Sequence, residues 1–138
     1  MKITETLVAE HAVFRNVFDS IERSLPKIRS LPEIKLIASL VESMLLRHAE
    51  AENDIAFIAV DHALAEQGQL STMHEEHEEI DASLRQVQTA TKVAEAKRLL
   101  KFAMLASRAH FKGEERKVFP LVEKVLKEET LVKLNRAY

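Results

Sequence analysis

Histidine and glutamate residues recur along this 138-residue chain at spacings that could place them around metal ions. Glu52 follows His48 by four residues, and Glu114 and Glu115 follow His110 by four and five. Four residues correspond to a rotation of about 40° on a helix, so a histidine and an acid at this spacing share a face. The chain has no cysteine, so any metal site must use nitrogen and oxygen ligands. The remaining candidate ligands are three histidines: His11, His74 and His77.

Helices must position these side chains, because the composition favours helical structure. Hydrophobic residues make up 46% of the chain, and only 2 glycines and 3 prolines occur. Apolar residues recur at helical intervals in four stretches. Pro120 is expected to kink or end the fourth helix, before a short amphipathic tail helix. The predicted helices cover approximately residues 4–24, residue 30 to before Gly68, residues 72–89 and residues 92–118.

Four helices with short connections predict an all-α fold, an antiparallel up-down-up-down four-helix bundle forming a single domain over residues 1–138. Helix starts are expected at Thr4, at Ser30 and at Thr72, whose types and spacing to a following glutamate suit N-caps. Gly68 is expected to end the second helix.

The depth of the candidate ligands within this bundle can be estimated from helix rise. His11, His77 and His110 lie at similar depths, roughly 8 to 12 Å from one end of the bundle. Glu52 lies about 21 Å from Gly68, so the second helix must overhang its partners or end earlier. A shared layer of ligands is compatible with this count.

The burial of carboxylates in one layer is what distinguishes a metal site from ordinary packing. A single histidine on an apolar stripe is usually a core residue with a hydrogen bond, so no single member of the set carries the prediction. Burying Glu52 and a glutamate of the fourth helix with no lysine or arginine nearby would cost several kcal/mol for each uncompensated charge. A bound dication removes that penalty.

The spacings also discriminate among metal sites. No glutamate lies three residues before any histidine, which disfavours ferritin-like di-iron sites. The HEEH segment at 74–77 lacks the four-residue histidine spacing of zinc proteases. An imidazole-rich site with two carboxylates suits two iron ions, which offer about twelve positions if octahedral. Five histidines, two bridging carboxylates and a bridging hydroxide fill about eleven of these, leaving one for a small ligand.

Net charge and segment composition exclude other function classes. A formal net charge of −2, from 20 basic and 22 acidic residues, gives no electrostatic footprint for nucleic acid. The sequence shows neither a secretory signal nor an apolar run of about 18 residues, so we expect a cytoplasmic protein without a membrane segment.

Four motifs, taken together and in order, resemble the hemerythrin HHE cation-binding family. They are EHAVF around His11, LLRHAEAEND around His48, HEEHEEI around His77 and HFKGEERKVFP around His110. This resemblance covers nearly the whole chain. It implies that these four histidines are ligands, that Glu52 is one bridging carboxylate and that the centre holds two iron ions.

Two ligands stay open within that resemblance. Hemerythrin places its second bridging acid five residues after the histidine, which points to Glu115, whereas straight-helix geometry favours Glu114. Of the two we favour Glu115, with Gly113 allowing the helix to deform. Hemerythrin has two histidines four apart on the third helix, whereas His74 and His77 are three apart, so His74 is either the fifth histidine ligand or no ligand.

The resemblance implies a protein that binds dioxygen or a related small diatomic or peroxide ligand, as carrier, store or sensor. The alternative is a di-iron enzyme or stress protein that consumes peroxide or nitric oxide, or one that handles iron for repair. A metal-free helical interaction module is the third alternative. Enzymatic turnover and any protein partner are left undecided by the sequence. His62 lies roughly 21 Å along the helix from His48 and is expected to be an ordinary histidine.

Overall fold

The computed structural model of the chain describes residues 1–60 and 67–138, and within these residues it contains helices and no strand. A short 3-10 turn, Leu25–Lys27, follows the first helix, and a five-residue π-helical segment, Glu114–Val118, follows the fourth. The α-helices are α1 (Ile3–Ser24), α2 (Leu31–Val60), α3 (Gln67–Thr89), α4 (Val93–Gly113), α5 (Phe119–Val125) and α6 (Glu128–Ala137).

The helix starts differ from the sequence prediction in two places. Lys2, not Thr4, precedes the first turn of α1, and its backbone N–H donates to the Glu5 carboxylate at 2.8 Å. Thr4 is buried instead, and its hydroxyl donates to Glu123 at 2.5 Å. Helix α3 begins at Gln67 rather than at Thr72, so Gly68 lies in its first turn and does not end the second helix.

The sequence predicted that Pro120 would kink or end the helix, and the structure shows that the helical path does not end there. Helix α4 continues through the π-helical segment into α5, and the chain becomes extended only at Leu126. The Phe119 N–H donates to the carbonyl of Glu114, five residues back. Pro120 then occupies the first turn of α5, where a residue without an amide donor is tolerated. The amphipathic tail helix exists, but it begins at Glu128.

Neighbouring helices run antiparallel, as their side-chain contacts show. Arg108 of α4 binds Asp19 of α1 at 2.7 Å. Arg15 lies four residues nearer the start of α1, and it binds Glu115, just beyond the end of α4, at 2.9 Å. Gln88, near the end of α3, donates to the carbonyl of Lys35 near the start of α2 at 2.9 Å. The confirmed fold is therefore an antiparallel helical bundle.

Two hydrophobic clusters fill the bundle, one on each side of the predicted ligand layer. The larger cluster includes Phe18, Ile34, Leu84 and Leu100, all fully buried. The smaller cluster is closed by α5 and α6, and its members are Ile3, Leu7, Ile55, Ala56, Met73, Val118, Phe119, Val122, Leu126 and Leu131.

The ligand layer therefore lies well inside α1, α2 and α3 and at the junction of α4 with the π-helical segment. Helix α1 begins eight residues before His11, and α3 begins ten residues before His77. Helix α2 is described for eight residues beyond Glu52, about 12 Å at helical rise. The sequence count placed the end of the second helix next to Gly68, and it therefore required that helix either to overhang its partners or to end earlier. Gly68 belongs to α3 and does not mark the end of the second helix. In the part of the chain that the structure describes, no helix is long and apolar enough to cross a membrane.

Candidate metal centre

Six histidine and glutamate side chains from all four long helices meet in the layer between the two hydrophobic clusters. They form two groups, and within each group the ligand atoms lie within 4.8 Å of one another. Two glutamates, Glu52 and Glu114, belong to both groups. Two histidines complete each group, His11 and His48 in the first and His77 and His110 in the second.

Glu52 lies between the two histidine pairs and offers one oxygen to each. Its Oε1 atom lies 2.5 Å from His48 Nε2 and 3.5 Å from His11 Nε2. Its Oε2 atom lies 2.8 Å from His77 Nε2 and 3.9 Å from His110 Nε2. A carboxylate in this orientation is placed to bridge two ions.

Glu114 is the second shared carboxylate, and it lies at the point where α4 gives way to the π-helical segment. Its Oε1 atom lies 3.0 Å from His110 Nε2 and 3.6 Å from His11 Nε2. The Glu114 N–H still donates to the carbonyl of His110, so the turn between these residues is α-helical. The wider turn begins only at Glu114, and this residue therefore stays on the face of His110.

Three of the four histidines turn their outer ring nitrogen, Nδ1, toward a carboxylate on a neighbouring helical segment. The distances are 2.6 Å from His48 to Glu10, 2.6 Å from His110 to Glu76, and 2.9 Å from His11 to Glu115. Since a carboxylate can only accept, each Nδ1 carries the proton and donates it. This pairing fixes the ring and leaves the inner nitrogen, Nε2, free to bind a metal.

The inner Nε2 atoms of the histidines and the oxygens of Glu52 and Glu114 then face each other. The described residues place no other hydrogen-bond donor between them. His11 Nε2 and His48 Nε2 are 2.9 Å apart, and nitrogens about 2.1 Å from a shared ion at a right angle lie roughly 3 Å apart. Both oxygens of Glu52 and of Glu114 are buried without a hydrogen-bond partner in the described residues. Such a set of lone pairs needs either cations or protons among them.

The pKa values show that protons occupy these places in the metal-free protein. Burial alone would lower the pKa of His110, but its contacts with Glu114 and Glu52 raise it to about 10. Burial raises the pKa of Glu114 to about 8, and the neighbouring charge of Glu52 adds to this. Burial also acts to raise the pKa of Glu52, but its close contacts with the four histidines of the cluster, His11, His110, His48 and His77, hold it well below its usual value. Metal binding must therefore displace protons from the cluster.

A small cavity of about 20 Å³ lies beside the cluster, between α2, α3 and α4. Its polar lining includes His48, Glu52, His77 and His110 of the cluster, with Asp81 and Ser107, and its apolar lining includes Ile80 and Phe111. About 10 to 15 Å³ is enough for one water molecule, so the cavity suits a diatomic or similarly small ligand.

Aromatic rings cover the first histidine pair. Phe111 stacks on His11 with ring centroids 4.2 Å apart, and Phe119 lies at 5.6 Å from the same ring. Phe14 meets the His48 ring edge-on at 5.1 Å. These rings exclude water from that side of the cluster.

A family model for the hemerythrin HHE cation binding domain matches residues 2–122. The chain belongs to the hemerythrin HHE family. The curated proteins and the solved structures with which we compared it gave no match. As a member of this family the chain is a cation-binding domain, and its clustered histidines and glutamates could hold the metal.

The structure brings together six of the eight residues that the sequence indicated and leaves two outside the hemerythrin-type cluster. His74 is exposed, and its ring centroid lies 6.5 Å from that of His77. The structure places Glu114, not the preferred Glu115, among the histidines: Glu114 is buried there, whereas the Glu115 side chain is 27% exposed and binds Arg15 and His11 Nδ1. Burial acts to raise the pKa of Glu115, but Arg15 and His11 lower it. His62 lies outside the described residues.

Sequence reasoning missed the supporting carboxylates Glu10 and Glu76. Each directly precedes a histidine of the cluster, in the dipeptides Glu10–His11 and Glu76–His77. Neighbouring residues on a helix point about 100° apart, so each glutamate reaches the adjacent helix rather than its own histidine. The Glu–His dipeptide was the available signal, but its partner depends on how the helices pack.

Proposed function

We propose that this chain is a non-haem di-iron protein that binds dioxygen or a related small ligand as carrier, store or sensor. The observation that carries the proposal is the position of Glu52, whose two oxygens each face a different pair of histidines. A single ion would use one pair. Two ions bridged by Glu52 and Glu114 would use all four histidines.

Iron is the metal that best suits this donor set. Four imidazoles and two carboxylates, without thiolate, match the nitrogen and oxygen ligands that non-haem iron takes. The supporting carboxylates orient the imidazoles and raise their basicity, which strengthens their bonds to a divalent or trivalent cation. When bound, the ions would supply reversible electron transfer to a small ligand.

Coordination positions remain for such a ligand. Four histidines and two bridging carboxylates fill about eight of the roughly twelve positions of two octahedral ions. The cavity beside His77 and His110 leads to the cluster, and only a small molecule fits it. The chain's own residues therefore bind and orient the ions, limit the size of the ligand and exclude bulk water.

The position of His74 favours a second candidate function. With this histidine exposed, one fewer ligand is available than the five that the sequence counted. The additional open position suits a centre that consumes peroxide or nitric oxide, or one that handles iron for other proteins. Both candidates use the same two ions.

Metal analysis followed by optical spectroscopy separates these possibilities. The protein is loaded with ferrous iron without air, and we expect about two irons per chain. A visible band that appears with dioxygen and disappears on its removal supports binding, whereas rapid loss of added peroxide supports turnover. No bound iron, together with unchanged stability in His48→Ala, would rule out both.

A further inference from the structure

Helix α6 packs against α1 at the end of the bundle where the smaller hydrophobic cluster lies. Leu131 is buried in that cluster, and the hydroxyl of Thr6 on α1 donates to the side-chain oxygen of Asn135 on α6 at 2.5 Å. Tyr138 follows α6, and its carbonyl accepts a hydrogen bond from Arg47 of α2. The Arg47 guanidinium also lies over the Tyr138 ring, 5.0 Å from its centroid.

The Tyr138 hydroxyl reaches the metal centre through one carboxylate. It lies 2.9 Å from both oxygens of Glu10, whose Oε2 accepts from His48 Nδ1 at 2.6 Å. His48 Nε2 in turn lies 2.5 Å from Glu52. A continuous series of contacts therefore joins α6 to the bridging carboxylate.

Glu10 needs such an anchor because its side chain is 30% exposed. A glutamate at the surface samples several rotamers, and most of them would move its carboxylate away from His48. The phenol is a suitable donor, since burial and the hydrogen bond to Glu10 raise the pKa of Tyr138 far above neutrality and keep it protonated. Glu115 has a comparable anchor, because Arg15 donates to it at 2.9 Å.

We propose that Tyr138 is a positioning residue of the metal centre, whose hydroxyl holds Glu10 against His48 so that metal binding and the docking of α6 stabilise each other. The inference rests on the metal centre proposed above. Two linked binding events strengthen each other by the same factor. Docking of α6 must therefore raise the affinity for metal, and bound metal must stabilise the docked α6. Tyr138 touches neither ion and acts only through Glu10.

The test begins with Tyr138→Phe, which removes the hydroxyl and keeps the ring that packs against Arg47. Affinity for ferrous iron is measured without air by competition with a chromogenic chelator. Loss of a supporting carboxylate typically costs about 10–100-fold in metal affinity. We expect a smaller loss here, about three- to tenfold.

Thr6→Val is the matched control, because it removes another hydrogen bond between α1 and α6 that does not involve Glu10. We expect its iron affinity to stay within about twofold of the wild type. Equal losses in Thr6→Val and Tyr138→Phe would show that the hydroxyl acts only by holding α6, and would overturn the proposal.

A double-mutant cycle tests whether the effect passes through Glu10. In a Glu10→Ala background, Tyr138→Phe should cause no further loss of iron affinity, because the carboxylate it positions is gone. Additive losses would overturn the proposal.

Hydrogen exchange tests the coupling in the other direction. Iron should slow exchange of the α6 amides in the wild type and in Thr6→Val, but less in Tyr138→Phe. Equal slowing in all three also contradicts the proposal, whereas failure of the wild type to bind iron refutes the proposed function itself.

Discussion

The two halves of the cluster share one pattern of histidines and acids, and they differ at one position of that pattern. Helices α1 and α2 supply Glu–His at 10–11 and His-x-x-x-Glu-Asn at 48–53. Helices α3 and α4, with the π-helical segment, supply Glu–His at 76–77 and His-x-x-x-Glu-Glu at 110–115. Glu10 supports His48 just as Glu76 supports His110. Glu115 supports His11, but Asn53 stands at the position that would support His77.

The consequence is visible at His77. Its Nδ1 atom and the side-chain oxygen of Asn53 are both buried and lack a hydrogen-bond partner among the residues described. The His77 side chain is also 12% exposed, whereas that of His11 is fully buried. The small cavity is lined by both histidines of the second pair and, from the first pair, by His48 but not by His11. In the di-iron centre proposed above, the first half would hold its ion more firmly and the second half would admit the ligand.

Glu52→Ala should abolish iron binding in both halves of the cluster at once. One oxygen of Glu52 faces each histidine pair, so both ions would lose a ligand at once and only Glu114 would still be shared between them. We expect no stoichiometric iron after ferrous loading and desalting, measured by metal analysis. Retention of two irons per chain would refute the bridging role.

His48→Ala and His77→Ala should each remove iron binding from one half of the cluster, so that the other half can be measured alone. Each variant loses one histidine of one pair, a different pair in each variant, and should bind about one iron per chain. The iron that remains in His77→Ala lies in the half with both histidines supported, so it should be held about tenfold more tightly than the iron that remains in His48→Ala. Chelator competition measures the two affinities, and the opposite order would contradict the comparison.

Asn53→Glu should make the second half resemble the first. The new carboxylate would stand where Glu115 stands in the other half and could accept a hydrogen bond from His77 Nδ1–H. We expect affinity for the second iron to rise by roughly tenfold. Asn53→Gln is the control, because it lengthens the side chain without charge and should leave the affinity nearly unchanged.

The stability of the metal-free protein should fall as pH rises. The pKa of Glu114 goes from 4.5 to about 8 and that of His110 from 6.5 to about 10 in the folded state, so the folded state binds more protons. Their contributions are complete below the unfolded values and are lost as pH rises through the folded ones. Glu52 stays ionised across this window.

Urea unfolding at about pH 5.5 and about pH 8.5 measures this effect. The free energy of unfolding of the metal-free protein should be lower at the higher pH. With excess ferrous iron the trend should reverse, since iron competes with the protons. A metal-free protein whose stability rises across this range would contradict the proton-filled cluster.

His74→Ala should have the smallest effect. The side chain is exposed and lies outside both groups of ligands. Iron content and the optical spectrum should match the wild type, and loss of one iron would restore His74 as a ligand.

Local spacing was enough to predict most of the fold and of the candidate site. The four long helices follow from apolar periodicity, and His48 with Glu52 follows from a spacing of four, because both depend only on helix geometry. The helix starts at Thr4 and Thr72 were wrong, because tertiary packing overrode the local signals. Of the two outcomes expected at Pro120, a kink or an end, the end did not occur, because the π-helical segment carries the helical path into α5.

The sequence by itself determined that every long helix carries a histidine and that two of them pair it with an acid on one face. Only the tertiary structure decided that Glu114 points inward, that His74 points out and that Glu10 reaches His48. These outcomes depend on the rotation and register of one helix against another. Side chains from many positions set that packing together, so no single spacing in the sequence encodes it.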